Sequence, residues 1–196
     1  EDSIVDEEDK CPNEKGVPET QGCPDPDTDG DGLPDRLDNC PQEKGDPKNA
    51  GCRKKQLVVI RKEKIELLDS IYFKTAKDVI ESRSFKLLDQ VVALMQSHPA
   101  LKLVRIEGHT DDVGKPEKNK DLSQRRAQSV LRYLVKKGVD PVRLDAQGFG
   151  QDKPLVPNDS KKNRAKNRRV EFVVVDAGAQ VDVQKQMNDV LDDTID

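Results

Sequence analysis

Apolar residues are scarce in the first 52 positions and recur at two distinct spacings beyond them. From Ser84 to Ser97, Phe85, Leu88, Val91, Val92 and Met95 fall three or four apart, the period of a helix with one buried face, and Pro99 stops it. Leu122, Val130, Leu131 and Leu134 predict a second helix from about Asn119 to Lys137, closed by Gly138. Four short apolar runs, at 65–73, 101–106, 144–149 and 170–175, predict strands. The order β-α-β-α-β-β, over about 120 residues, predicts an α/β (α+β) sandwich with its helices on one sheet face. This domain is expected at 54–178. It follows a small segment, 1–53, with little regular structure. In the tail, 179–196, Val183, Met187, Val190 and Leu191 lie at helical spacing and predict either a short amphipathic helix or a frayed end.

Charge sharpens this division. The 196 residues carry a formal net charge of -4, which conceals three unlike segments. Residues 1–52 hold 16 acidic and 5 basic side chains, residues 53–175 hold 16 and 28, and residues 176–196 hold 6 and 1. No apolar stretch reaches the roughly 20 residues of a membrane helix.

The acidic segment repeats. Cys11 and Cys40, and likewise Cys23 and Cys52, stand 29 apart, and CPNEKGVPETQGC and CPQEKGDPKNAGC share one template. Asp2 matches Asp31 with nothing before it, so the chain reads as starting inside a repeat and as part of something longer. Units this poor in apolar residues need disulfides or metal. Four cysteines allow three pairings. Self-contained repeats favour Cys11–Cys23 with Cys40–Cys52, while Cys23–Cys40 stitching stays open. C-x11-C without a nearby histidine is a poor zinc spacing, so an oxidising compartment is expected.

Asp27, Asp29 and Asp31, then Gly32, Leu33, Asp35 and Asp38, occupy the spacing of a calcium loop. A hard dication takes six to eight oxygens, and alternate residues of a tight turn bring their carboxylates inward. Leu33 would lend its carbonyl and Asp35 would act directly or through water. Asp38, with a shorter arm than the usual glutamate, would close the loop. A disordered acidic linker is the competing reading. The pattern D-x-D-x-D-G-x-x-D-x-x-D-x-C-P resembles a thrombospondin type 3 repeat. That resemblance implies bound Ca2+, disulfides and a stiff spacer.

In the basic segment, Ile106-Glu-Gly-His109-Thr110-Asp111 leads to a turn and then to Asn119, Leu122, Ser123, Arg125 and Arg126. At 100° per residue from Leu122, Arg126 falls near 40°, on the flank of the apolar stripe, and Arg125 near 300°, toward solvent. A guanidinium half sunk beside a core, near a loop carboxylate, makes a bidentate clamp for a carboxylate ligand. An Asp111–Arg126 salt bridge fixing loop to helix is the plainer alternative. His109 reads as a structural residue hydrogen-bonding near the turn rather than as a metal ligand or base.

These residues, with Gly148-Phe149-Gly150 and Asn167-Arg168-Arg169-Val170-Glu171, resemble the OmpA-like peptidoglycan-binding domain over roughly 62–176. The resemblance implies a noncovalent grip on the diaminopimelate of the stem peptide, in the periplasm of a Gram-negative bacterium. It assigns the ligand ammonium to Asp111 and the carboxylate to Arg126. Thr110, Asn119, Phe73, Thr75 and Arg168 are implied to line or support the pocket. The turn Lys115-Pro-Glu-Lys118 is a charged version of a turn that varies within the family, and it leaves the peptide preference at the pocket rim open.

The basic run 161–169 lacks interleaved aromatics, which argues against nucleic acid and for a surface facing anionic wall polymer. No nucleophile–base pair or paired carboxylates stand out, so an enzyme is not expected. The expected function is anchoring of the outer membrane to peptidoglycan, through a linked N-terminal outer-membrane domain. A calcium-dependent adhesion or assembly protein of the envelope is the alternative.

Overall fold

A computed structural model describes residues 9–14, 16–61 and 64–175. The chain divides into two units, Glu1–Gln56 and Leu57–Asp196. The tail helix expected at 179–196 lies outside the described residues.

The first unit shows the 29-residue repeat as repeated geometry. Disulfides join Cys11 to Cys23 and Cys40 to Cys52. Asp9 and Asp38 each accept the backbone N–H two residues on, from Cys11 and Cys40, at 2.7 Å. Single 3-10 turns at Pro18–Thr20 and Pro47–Asn49 end in left-handed residues, Gln21 and Ala50, both at φ 55°. Gly51 follows at φ 69°, and a Cβ there would overlap the Asp38 carboxylate, so that position requires glycine. Side-chain oxygens on backbone donors supply much of the order that a core would otherwise give.

The second unit contains five strands and three helices among the described residues: β1 (Val58–Ile60), β2 (Lys64–Leu67), α1 (Phe85–Ser97), β3 (Val104–His109), α2 (Pro116–Lys136), β4 (Leu144–Gly150), α3 (Lys161–Asn167) and β5 (Val170–Val174). The sheet order is β1-β2-β5-β3-β4. β3 and β4 are parallel, joined by α2, and the other neighbours are antiparallel. Val104, Ile106, Leu144 and Phe172 face α1 and α2, and Leu88, Val91, Val130 and Leu134 pack onto them, all fully buried. Each such side chain stabilises the fold by about 1.5 to 3 kcal/mol.

The architecture is the expected mixed sheet with helices on one face, with five differences in its elements, one being that the strand expected at 101–106 runs Val104–His109. The run 65–73 is not one strand: β2 ends at Leu67, and Asp69 then bonds the Ser70 amide at 2.7 Å and turns the chain. Phe73 makes only an isolated bridge with Ile80. β1, three residues long, was not expected, and neither was α3, opened by the Ser160 side chain on the Asn163 amide. α2 starts at Pro116 rather than Asn119, because a proline at the first turn gives up no needed donor.

α2 sits close to the sheet because both sides are small where they meet. A Cβ on Gly108 would fall 2.2 Å from the Ser123 carbonyl oxygen, and Ser123 and Ala127 are fully buried. The Ser123 hydroxyl accepts the Gly150 amide at 2.8 Å. The close approach at Gly108 places the end of β3, and so Asp111, beside the first turns of α2.

Candidate functional site

Beyond β3 the chain turns through Thr110 and Asp111, which are 5% and 7% exposed. The Asp111 carbonyl accepts the Thr110 hydroxyl at 2.9 Å and the Asn119 amide at 3.3 Å. Asn119 also donates to Val113 O and Gln151 Oε1, so one buried side chain of α2 fixes the turn from three directions. The Asp111 carboxylate accepts Val113 N–H on Oδ1 at 3.2 Å and Arg168 Nη1 on Oδ2 at 2.6 Å. The loop-to-helix salt bridge weighed between Asp111 and Arg126 is therefore made by Arg168, from the end of α3.

Arg126 faces the same cavity, of about 640 Å³, which Thr110, Asp111, Asn119, Arg164 and Arg168 also line. Its Nε donates to the Lys77 carbonyl at 3.1 Å, and its guanidinium carbon lies 5.0 Å from the centre of the Phe73 ring. Burial pushes its pKa below the ordinary arginine value, opposed by the Asp78 carboxylate. It remains a cation. Phe73 and Thr75 line an adjoining cavity of about 460 Å³ that shares Arg126 and Arg168. Arg125 does not point idly to solvent: it holds Asp78 and Asp121, each at 3.0 Å.

Among the described lining residues of the larger cavity, Asp111 is the one carboxylate, against Arg126, Lys161, Arg164 and Arg168. Arg164 is itself tied to Asp112 at 3.0 Å. Such a site suits a ligand carrying one ammonium and a carboxylate. Lys161 and Arg164 join it through α3, the helix that reading 161–169 as a mere basic surface overlooks. Its signal was Ser160, a capping residue ahead of seven residues free of glycine and proline.

His109 is 2% exposed and stacks on Phe149 at 5.5 Å. Neither ring nitrogen has a hydrogen-bond partner, contrary to the expectation of a hydrogen-bonded structural histidine. Burial, and then the nearby Arg169, push its pKa down to about 4.

In the first unit, carboxylate oxygens of Asp27, Asp29 and Asp31 lie within 4.8 Å of one another. Asp27 accepts the Gly30 and Gly32 amides, Asp29 the Asp31 amide, and Asp31 the Leu33 amide. Asp29 Oδ2 is buried without a hydrogen-bond partner. Asp35 is not in this group. It accepts the Thr28 amide and hydroxyl at 2.7 and 2.6 Å. Asp38 is 1% exposed beneath Gly51, also outside the group.

Comparison with known proteins agrees with this architecture. Residues 72–168 match the OmpA family and residues 22–45 the thrombospondin type 3 repeat. The chain is 40% identical over 110 residues to outer membrane porin F of Pseudomonas fluorescens, covering 56% of this chain and 33% of that protein. It is 39% identical over 101 residues to the peptidoglycan-associated lipoprotein of Pasteurella multocida, covering 52% of this chain and 67% of that one. The periplasmic domain of Helicobacter pylori MotB matches with a TM-score of 0.52 at 26% identity, over 71% of this chain and 91% of that one. The chain thus spans a third of the length of the porin it resembles.

A mixed sheet backed by two helices, with a cationic cavity around one buried aspartate at a strand end, is an OmpA-type domain. The chain belongs to the OmpA family, with a thrombospondin type 3 repeat ahead of that domain. No helix among the described residues is long and apolar enough to cross a membrane.

Proposed function

We propose that the second unit binds peptidoglycan without cleaving it, on the periplasmic side of a Gram-negative outer membrane to which an N-terminal part of the protein holds it. One observation carries this reading: Asp111, 7% exposed, shares a cavity with Arg126 and Arg168. The diaminopimelate side chain of a stem peptide ends in an ammonium and a carboxylate on one carbon. Asp111 takes the ammonium and Arg126 the carboxylate. Arg168 yields Asp111 to the ammonium and turns to the same carboxylate. Thr110 and Asn119 hold the turn, and Phe73 and Thr75 line the approach. A lone carboxylate among arginines supplies no acid–base pair, which favours binding over hydrolysis. The peptidoglycan-associated lipoprotein among the relatives supports the choice of ligand.

The first unit acts as a spacer ordered by Ca2+. The donor set fits a hard cation: converging carboxylates, and a buried Asp29 oxygen that nothing else satisfies. Asp27, Asp29 and Asp31 would hold the ion together with the Leu33 carbonyl, and water would fill the remaining positions. Bound calcium would offset the repulsion among these carboxylates.

Sedimentation with purified sacculi tests the reading. The protein should pellet with the wall and release no soluble fragments. Protein left in the supernatant, or soluble muropeptides, would contradict it.

A further inference from the structure

The helix-free face of the sheet carries a second constellation, whose His109 also lines the cavity beside Phe73 and Thr75. Glu107 on β3 and Glu171 on β5 sit directly opposite each other in the antiparallel ladder. Like charges in that arrangement repel. Glu107 is only 8% exposed, so water screens it poorly. His109, two residues along the same face of β3, brings Nε2 to 3.7 Å from an oxygen of each glutamate. His109 is 2% exposed, and neither ring nitrogen has a hydrogen-bond partner. Buried polar atoms rarely go unsatisfied, and an unsatisfied Nε2 facing an oxygen of each of two carboxylates calls for something between them.

We propose that Glu107, His109 and Glu171 form a binding site for a divalent transition metal of the zinc class. The three ligand atoms lie within 4.8 Å of one another. Ligands at 2.0 to 2.1 Å from a tetrahedral ion stand about 3.4 Å apart, so small side-chain rotations close the site. One imidazole and two carboxylates suit zinc and its neighbours, whereas calcium takes oxygens alone. Glu171 is already oriented from outside: Arg169 Nε donates to its Oε1 at 3.0 Å, leaving Oε2 for the ion. The Glu171 side chain is 33% exposed, which gives an entry path and leaves the fourth position to water.

Two classes of site on one chain can be separated by metal identity. The full 196-residue chain, stripped of metal and then saturated with Ca2+, is titrated calorimetrically with Zn2+. One equivalent of zinc should bind. E171Q and H109Q should each weaken it at least tenfold, with circular dichroism showing the fold intact. The triple variant D27N/D29N/D31N should bind zinc as before. E171Q changes a partly exposed side chain, so it reports even where H109Q fails to fold. Absence of zinc binding, its survival in folded E171Q, or its loss in the triple variant would each overturn the proposal.

Discussion

Arg168 Nη1 stands 2.6 Å from Asp111 Oδ2, an ion pair that closes the end of β3 onto the end of α3 across 57 residues of sequence. Asp111 is nearly buried and Arg168 half exposed, so the pair offsets the cost of desolvating the Asp111 carboxylate while Arg168 keeps room to move. Arg168→Ala should lower stability by about 1 kcal/mol, the value of a partly screened pair, or roughly 4 °C in a thermal melt. It should also weaken wall binding, since the carboxylate loses one of its two guanidiniums. Tighter binding in a folded Arg168→Ala protein would show that Arg168 only competes for Asp111.

Gly108→Ala tests how the site is held. Its new methyl would meet the Ser123 carbonyl at 2.2 Å, and backbone cannot swing aside as a side chain can. Overpacking of this kind costs about 1 to 3 kcal/mol, and the upper end is expected here. A melt within 2 °C of the parent would show that α2 is free to move off the sheet (about 0.5 kcal/mol).

Chelation should act on one unit alone. With a strong calcium chelator, limited proteolysis should cut faster within residues 9–52, while 57–175 persists as a resistant fragment. Unchanged cleavage of the first unit would mean that the disulfides at Cys11–Cys23 and Cys40–Cys52 suffice for its order.

The contact between α1 and α2 has a pH signature. Lys137 and the Tyr133 hydroxyl both bond Asp89 Oδ1 at 2.9 Å, and the Lys137 hydrogen bond, foremost, holds the Asp89 carboxyl below its ordinary value. A lowered carboxyl stabilises the fold above the unfolded value, about 3.9, and that contribution fades as pH falls through the lower folded one. An NMR titration of the Asp89 carboxyl should find it below the ordinary aspartate value. A value at or above 3.9 would remove the contact from the account.

Much of this was legible in the sequence. α1 declared itself because Leu88, Val91, Val92 and Met95 repeat at helical period and are buried as the period requires. The Asp111 turn was legible because its residues are consecutive. What escaped were features set by tertiary contact. β1 is three residues long and is a strand only because β2 pairs with it. α3 is polar on all faces, so no apolar period marks it. The Arg168 pair and the Glu107–Glu171 opposition depend on strand register, which pattern alone does not fix. The helical wheel separated Arg126 from Arg125, yet it could not show that Arg125 grips Asp78.

That separation gives the most direct test of the central claim, binding of variants to purified sacculi with thermal melts alongside. A charge-assisted hydrogen bond contributes about 1.5 to 3 kcal/mol, so Asp111→Ala and Arg126→Ala should each weaken binding roughly ten- to hundredfold. Arg126→Lys should not restore it, because an ammonium lacks the planar fork. Arg125→Ala removes exposed pairs of about 1 kcal/mol at most and should cost no more than about fivefold. Free diaminopimelate should compete with the wall for the parent protein. Full binding by a folded Asp111→Ala protein, or equal losses at Arg125 and Arg126, would contradict the account and leave only general attraction between a basic domain and an anionic wall.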